Sequence, residues 1–321
     1  MNIAVIINSY NRLSLLRESL DALEQWMPQS VYHGRLGIVI YDAGSTDGTI
    51  EWIQGKAIQK YSFTIKLLLP QKGDDTSFAA GVNAGAYFAV EYYDDLQYLL
   101  LYETDNQILS SSALLAAERE LMNHSILGAC GFTVRYHNGC RAGVGMPFPT
   151  IINFLLWKFG SIFHLEKIPY QWEEREQNTL FSYVDVVFTS PLLIKKQAWI
   201  DSKGLDARTF PFSDCDVDWA KRLRILNWRM GVIKTEDVIH DNRDTISDWS
   251  KTRAMNSHRA RLRYFKRYHP FLIYIIFPFP LMMRHLFELF IALIYPFPKS
   301  KKKRLINQFY NLLIKSLKGY S

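Results

Sequence analysis

The stretch YLLLYETDN, residues 98–106, decides the fold that this sequence predicts. Its first five residues form an unbroken apolar run of strand length, and the run ends at two carboxylates, Glu103 and Asp105. In open α/β sheets, ligands bind at the edge where such strands end. Two neighbouring carboxylates suit a hard divalent cation that is shared with substrate phosphates. The stretch therefore indicates a metal and diphosphate site; the alternative is that both acids are turn or helix-cap residues.

Three further strand patterns precede this stretch, at 3–7, 36–41 and 64–69, and polar residues and a helix pattern follow each of them. We expect Asn11 to cap the first of these helices. Strands that alternate with helices predict an α/β fold, a Rossmann-like and mostly parallel sheet with helices on both faces. Because parallel strands end at one edge, the polar clusters after the strands are expected along one rim.

Charge is distributed unevenly along the 321 residues, whose net charge is +7. Residues 251–321 contain fifteen Lys and Arg against one acid, Glu288, and so carry +14, which leaves −7 for residues 1–250. The three cysteines form no CxxC pair, which indicates a reducing compartment and argues against a disulfide framework or a structural zinc. The N-terminus begins with a strand pattern instead of a secretion signal, so we expect a cytoplasmic protein.

A second acidic cluster lies in the stretch SDCDVDW, residues 213–219. Asp214, Asp216 and Asp218 stand at alternate positions in it. Like charges this close raise one another's pKa, which is unfavourable unless a cation or a reacting hydroxyl group makes use of them. Asp218 stands four residues before Arg222, the spacing of an ion pair on a helix, so we expect a structural role for Asp218.

In their order along the chain, these motifs resemble the family 2 glycosyltransferases of the GT-A fold, in particular rhamnosyltransferase-like enzymes of bacterial surface polysaccharides. The resemblance covers residues 2–245. Two positions depart from the family pattern: Glu103 replaces the first Asp of the DxD metal motif, and Cys215 stands where the family often has Glu. The motifs that carry the resemblance are NSYNR (8–12), DAGSTDGT (42–49), GVNAG (81–85), ETD (103–105), IKK (194–196), GLD (204–206), the segment 216–222, and His240.

The resemblance implies an active site with a general base, a metal ion and a bound nucleotide. Asp216 is implied as the general base, with Asp214 as the alternative. The implied ligands of Mg²⁺ or Mn²⁺ are Asp105, Glu103 and His240. The implied nucleotide-binding residues are Asn8, Tyr10, Arg12, Asp42, Gly44, Ser45, Asp75, Asn83, Glu103 and Thr104.

The implied reaction is an inverting transfer from a nucleoside-diphosphate sugar to a hydroxyl group of a glycan or lipid-linked acceptor in cell-surface polysaccharide synthesis. A UDP- or dTDP-linked donor is favoured, because Asp42 would accept a hydrogen bond from the imide of uracil or thymine. We expect a catalytic domain over residues 1–245 and a basic helical region over 246–321. Within the catalytic domain, the strand and helix pattern is less regular over residues 138–182. This stretch would line the acceptor cleft or pack on the core.

The C-terminal region combines basic runs with apolar helix patterns. Its longest uncharged run, 270–283, has 14 residues, whereas a spanning helix needs about 20 apolar residues, so no span is expected. The pattern predicts a peripheral position on the anionic inner face of the cell membrane. The alternative is a helical subdomain packed on the catalytic domain or on a second copy in a homodimer. The apolar stripe opposite the basic side is Leu305, Ile306, Phe309, Leu313 and Leu317.

Three other functions fit parts of the pattern. A nucleotidylyltransferase uses a similar sheet but needs a glycine-rich phosphate loop after the first strand, and residues 8–12 contain no glycine. A nucleic-acid-binding protein would use the basic tail, but the apolar residues beside those charges favour lipid, so no nucleic-acid partner is expected. A non-catalytic sugar-nucleotide-binding protein would bind a donor without turnover.

Overall fold

The computed structural model describes residues 1–141, 145–156, 170–188, 191–241, 251–276 and 278–317, without the side chains of 251–254, 274 and 275. The strands in these residues are β1 (Ile3–Ser9), β2 (Leu36–Asp42), β3 (Thr64–Leu68), β4 (Tyr98–Leu101), β5 (Asn106–Ile108), β6 (Leu127–Phe132), β7 (Gly145–Met146), β8 (Glu173–Glu174), β9 (Leu180–Val184), β10 (Val186–Val187), β11 (Leu192–Lys195), β12 (Arg229–Lys234) and β13 (Val238–His240). The α-helices are α1 (Leu13–Trp26), α2 (Thr49–Trp52), α3 (Ile58–Lys60), α4 (Phe78–Tyr92), α5 (Ser111–Asn123), α6 (Ile151–Leu156), α7 (Lys196–Ser202), α8 (Cys215–Ile225), α9 (Lys251–Tyr268), α10 (Ile273–Ile276), α11 (Phe279–Ile294) and α12 (Lys299–Leu317).

Nine strands form one sheet in the order β3-β2-β1-β4-β11-β6-β12-β9-β8. β1 pairs in parallel with β2 and β4, and β2 with β3, so these four strands end at the same edge. Of the nine strands in the described residues, β9 and β11 run in the opposite direction to the others, which confirms the predicted mostly parallel sheet. Two small antiparallel ribbons pair β7 with β10 and β5 with β13.

Helices cover both faces of the sheet because its central strands are apolar on both sides. On one face, the alternate residues Ile3, Val5 and Ile7 of β1 share a core with α1 and α5. On the other face, α4 approaches so closely that a β-carbon on Gly85 would lie 2.9 Å from Ile6 Cγ2. The helices on both faces that the alternating pattern predicted are therefore present.

The chain divides into two compact units. The sheet unit comprises Met1–Phe148 and Ile168–Arg243, and the helical unit comprises Pro149–Lys167 and Asp244–Ser321. The expected boundary at residue 245 lies outside the described residues. Within the helical unit, α12 packs along α11, and both contribute to a small core. No helix in the described residues has the length and apolar character that crossing a bilayer requires.

Candidate active site

Strand β4 ends in a tight turn that fixes the two predicted metal-binding carboxylates. The backbone N–H of Glu103 donates to Asn106 Oδ1 at 3.0 Å, and the N–H of Asn106 donates to the Glu103 carbonyl at 3.1 Å. From α1, Ser19 Oγ lies 2.6 Å from the carbonyl oxygens of Thr104 and Asn106. These bonds satisfy the backbone of a buried turn, so the turn is held rigidly at the end of the strand.

His240 reaches this turn through the ribbon formed by β5 and β13. The ribbon pairs His240 with Asn106, and the N–H of Asp241 donates to the Asp105 carbonyl at 3.1 Å. His240 Nε2 consequently lies 3.5 Å from Asp105 Oδ1. Strand pairing therefore joins two motifs that are far apart in the sequence.

Glu103, Asp105 and His240 place one donor atom each within 4.8 Å of one another. Asp105 Oδ1 is buried and accepts no hydrogen bond from any of the described residues. A buried carboxylate oxygen without a hydrogen bond is unfavourable unless a ligand binds it. Carboxylate oxygens are the preferred ligands of Mg²⁺ and Mn²⁺, and imidazole is a common additional ligand. The three residues therefore fit a divalent metal ion.

Burial and nearby carboxylates raise the pKa of Glu103 to about 7. Burial is the largest cause of this raised pKa, and the negative charge of Asp105 is the next. Asp216 also raises the pKa of Glu103, whereas interactions with His240 and Arg12 lower it. A cation bound beside the carboxylates would stabilise their ionised forms. The site thus carries an excess of negative charge that a metal ion would offset.

Arg12 contacts this cluster directly, because its Nη1 lies 3.0 Å from Asp105 Oδ2. The sequence predicted a nucleotide contact for Arg12 but not this ion pair. A signal for the pair was available: Arg12 follows β1, and parallel neighbouring strands such as β1 and β4 end at the same edge. Arg12 therefore engages one oxygen of Asp105 and leaves the other beside His240.

Asp216 lies in the first turn of α8, close enough to Glu103 to raise its pKa. The two acidic motifs are therefore close enough to interact electrostatically. Asp214 precedes the helix with a φ of 57°, a left-handed conformation that Asp tolerates better than most residues. Asp218 is fully buried and accepts a hydrogen bond from Arg222 Nε at 2.8 Å, so its predicted structural role is confirmed.

Asp42 is also fully buried, but its carboxylate is bonded within its own turn. Its Oδ1 accepts from the N–H groups of Gly44 at 3.0 Å and Ser45 at 2.6 Å, and its Oδ2 accepts from Ser45 Oγ at 2.7 Å. Asp42 therefore organises the loop that follows β2. The predicted contact of Asp42 with a nucleotide base stays a prediction. The predicted nucleotide contacts of Gly44 and Ser45 also stay predictions.

A second set of hydrogen bonds joins this loop to the loop after β1. The side chain of Asn11 accepts from the N–H of Thr46 at 2.7 Å. The first helical N–H of α1, that of Leu13, donates to Asp47 Oδ2 at 3.0 Å. The expectation that Asn11 caps α1 is therefore wrong: Asp47 caps it from another loop, because the neighbouring strands bring the two loops together.

The amide side chain of Asn83 bonds both backbone groups of Leu205. It donates to the Leu205 carbonyl at 2.7 Å and accepts from the Leu205 N–H at 2.8 Å. Gly204 has a φ of +62°, and a β-carbon there would lie 2.6 Å from Asn83 Oδ1. Asn83 therefore connects α4 to the 204–206 segment, and its nucleotide contact stays a prediction.

The other predicted nucleotide-binding residues differ in exposure. Tyr10 is exposed after β1, and Asp75 is exposed but accepts from the N–H of Ser77 at 2.9 Å. Thr104 is buried in the β4 turn. Asn8 packs against α4, where a β-carbon on Gly81 would lie 2.2 Å from Asn8 Oδ1. Their nucleotide contacts stay predictions, and of these four residues Tyr10 and Asp75 are exposed.

Residues 4–116 match the sequence model of glycosyl transferase family 2. No curated protein sequence matches the chain significantly. Three solved structures share its fold. TarS from S. aureus has a TM-score of 0.50 and 14% identity over 97% of this chain and 43% of its own. The mannosyltransferase PcManGT from Pyrobaculum calidifontis, in complex with GDP-Man and Mn²⁺, has a TM-score of 0.57 and 13% identity over 98% of this chain and 87% of its own.

The third is GalNAc-T7 with UDP, GalNAc and Mn²⁺, which has a TM-score of 0.58 and 10% identity over 99% of this chain. The chain spans 43% of the length of TarS and 56% of that of GalNAc-T7. At these identities the structures establish the fold alone, and the family match covers residues 4–116, which is less than half of the chain. Residues 4–116 therefore match glycosyl transferase family 2, and the chain has a GT-A-like fold.

Proposed function

We propose that this chain is an inverting glycosyltransferase that moves a sugar from a nucleoside-diphosphate donor to a hydroxyl group of a glycan or lipid-linked acceptor. The observation that carries the proposal is the convergence of Glu103, Asp105 and His240, with Asp216 close enough to affect the charge of Glu103. PcManGT and GalNAc-T7, which share the fold, were solved with a nucleotide or nucleotide sugar and Mn²⁺. We favour a UDP- or dTDP-linked donor.

In this proposal, Asp105, Glu103 and His240 hold Mg²⁺ or Mn²⁺. When bound, the ion would act as a Lewis acid toward the diphosphate leaving group. Arg12 keeps Asp105 Oδ2 engaged, so Oδ1 is the oxygen that remains for the ion. The high pKa of Glu103 supports the same assignment, because a cation offsets the unfavourable negative charge.

Asp216 is the proposed general base. It accepts the proton of the acceptor hydroxyl group as the acceptor oxygen bonds to the anomeric carbon and the bond from that carbon to the diphosphate oxygen breaks. The bonding electrons leave with the diphosphate. Attack from the side opposite the leaving group inverts the anomeric configuration. Asp214 is the alternative base, since it stands two residues earlier.

The setting that we propose is bacterial surface-polysaccharide synthesis by a rhamnosyltransferase-like enzyme at the cytoplasmic face of the cell membrane. The basic composition of residues 251–321 supports contact with an anionic membrane surface, where a lipid-linked acceptor would lie. A homodimer is compatible with this setting.

Thermal unfolding tests the donor and metal site. The Tm is measured with UDP-, dTDP- and GDP-sugars, with and without Mn²⁺, and the donor is expected to raise it most with Mn²⁺ because it binds the folded protein. Asp105→Asn should abolish the Mn²⁺-dependent increase, whereas the exposed control Asp94→Asn should retain it. A Tm that no nucleotide sugar raises, or an Asp105→Asn variant with the full increase, would contradict this site.

Turnover tests the general base. Asp216→Asn is expected to reduce transfer about 1000-fold, within the range that general-base catalysis contributes. The increase in Tm with donor should persist, because this residue acts on the acceptor. Release of nucleoside diphosphate and formation of the glycosylated product are both measured, with Asp214→Asn as the parallel variant. Full transfer by Asp216→Asn with loss in Asp214→Asn would assign the base to Asp214, and full transfer by both would refute a carboxylate base in this cluster.

A further inference from the structure

Helix α11 of the helical unit buries its charged face. Arg284 Nε donates to Glu288 Oε1 at 2.9 Å, and His285 Nδ1 lies 2.9 Å from Glu288 Oε2. All three side chains are buried. Arg284 also bonds the carbonyl of Phe154 in α6 and lies over its ring. Charged groups become buried only when they are paired, and these three satisfy one another inside the unit.

The opposite face of α11 is apolar and exposed. Its members recur at steps of three and four residues, which places them on one side of a helix. Each is between 41% and 70% exposed. This arrangement is the reverse of an ordinary surface helix, in which apolar residues face the core and charges face water. The α11 apolar face consists of Phe279, Met283, Leu286, Phe287, Phe290, Leu293 and Ile294.

The stripe on α12 that the sequence offered as the membrane-facing side is largely used for internal packing. Phe309 of this stripe is buried in a core with Ala292 of α11 and Met255 of α9, and Leu305 and Ile306 pack against that core. The expectation that this stripe meets the membrane is therefore wrong for these three α12 positions. The side of α12 with its apolar stripe covers one side of α11, and the α11 apolar face remains exposed.

We propose that the α11 apolar face inserts into the surface of an anionic lipid bilayer, with α11 lying parallel to the membrane plane. Exposed basic residues lie at the start of the next helix, α12, at Lys299, Lys301, Lys303 and Arg304. Apolar insertion beside clustered lysines is the pattern of helices that bind anionic membranes. A second copy of the chain is the less favourable occupant, because its helical region carries the same positive charge, whereas an anionic bilayer attracts the basic residues as well as the apolar face.

Fluorescence at single cysteines tests this orientation. In the full chain, Cys140→Ser removes the exposed thiol, and Cys130 and Cys215 are buried. Phe290→Cys then carries an environment-sensitive dye on the α11 apolar face, and Met122→Cys, an exposed site on α5 of the sheet unit, is the matched control. Vesicles of phosphatidylcholine mixed with phosphatidylglycerol should at least roughly double the emission at 290 and leave that at 122 unchanged.

Co-sedimentation with the same vesicles measures how strongly the protein and its variants bind to the membrane. Phe287→Ser with Phe290→Ser should weaken binding about tenfold or more, because two large apolar side chains no longer enter lipid. Lys301→Gln with Lys303→Gln should weaken binding about tenfold to vesicles that contain phosphatidylglycerol and little to pure phosphatidylcholine. Circular dichroism and the Tm confirm that the variants are folded.

Unchanged emission at 290 with vesicles would overturn the proposal. So would protection of that dye by dimerisation in the absence of lipid, which would assign the face to a second copy. The inference rests on the proposed function for its choice of partner, but the two fail separately. The donor-dependent increase in Tm needs no vesicles, and vesicle binding needs no nucleotide sugar.

Discussion

Two buried carboxylates, Glu288 in the helical unit and Asp105 in the sheet unit, have different surroundings. Glu288 has a partner at 2.9 Å on each oxygen, Arg284 on Oε1 and His285 on Oε2. Asp105 has Arg12 on Oδ2, and its Oδ1 accepts no hydrogen bond from the described residues. A carboxylate with both oxygens engaged stabilises the fold, whereas an oxygen without a hydrogen bond can bind a ligand.

The same criterion separates acids that the sequence grouped along one rim. Asp42 resembles Glu288, because both of its oxygens accept hydrogen bonds within its own loop. Glu103 belongs with Asp105, since its raised pKa shows that its negative charge is poorly compensated. The comparison therefore predicts opposite effects on stability. Neutralising a carboxylate with both oxygens hydrogen-bonded should destabilise the fold, whereas neutralising Glu103 should stabilise it.

The largest effect is expected for Glu288→Gln. Removing the charge leaves Arg284 buried without its ionic partner, and breaking a buried pair costs about 3–5 kcal/mol. The free energy of unfolding in urea should fall by that amount. The exposed control Glu91→Gln should change it little. A Glu288→Gln variant as stable as the wild type would show that the buried guanidinium of Arg284 does not depend on this carboxylate.

A smaller decrease in the free energy of unfolding is expected for Asp42→Ala. The variant leaves the N–H groups of Gly44 and Ser45 without their acceptor, which costs about 2 kcal/mol in a buried turn. Chemical denaturation measures this loss, with the exposed Asp94→Ala as the control. Unchanged stability, together with a changed preference among nucleotide bases, would show that Asp42 acts on the donor and not on its own loop.

The smallest effect, and one of opposite sign, is expected for Glu103→Gln. The folded-state pKa of Glu103, about 7, lies above its ordinary value. The folded protein therefore holds this proton more tightly, and ionisation destabilises it as the pH rises from about 4.5 to 7. In EDTA at pH 8, Glu103→Gln should stabilise the protein by about 1–2 kcal/mol, since partial exposure reduces the effect.

The pH dependence provides the control for this prediction. At about pH 3, well below the ordinary pKa of Glu103, this carboxyl group is protonated in both the folded and the unfolded protein, so the variant and the wild type should unfold alike. At pH 8, added Mn²⁺ should make the wild type more stable than Glu103→Gln, because a carboxylate is a better metal ligand than an amide. A destabilised Glu103→Gln variant in EDTA at pH 8 would mean that this carboxylate belongs with Glu288.

Local patterns account for what the sequence predicted correctly. Apolar runs of strand length and helical spacing recur within a few residues, so the four parallel strands β1–β4 and their helices were predictable. The ion pair of Asp218 with Arg222 follows from one helical turn. The Glu103 and Asp105 motif was visible because an apolar strand ended in charge. None of these inferences required knowledge of what packs against the element.

Contacts between distant segments decided the rest. The cap of α1 by Asp47, the bonds of Asn83 to Leu205 and the position of His240 beside Asp105 each depend on a partner that strand order or helix packing supplies. By itself, the sequence determined the elements, the resemblance to a known family and the acidic motifs, because these depend on the order and spacing of side chains. Only the tertiary structure decided which carboxylate oxygens are engaged and which face of α11 is exposed, because both depend on what the folded chain brings next to them.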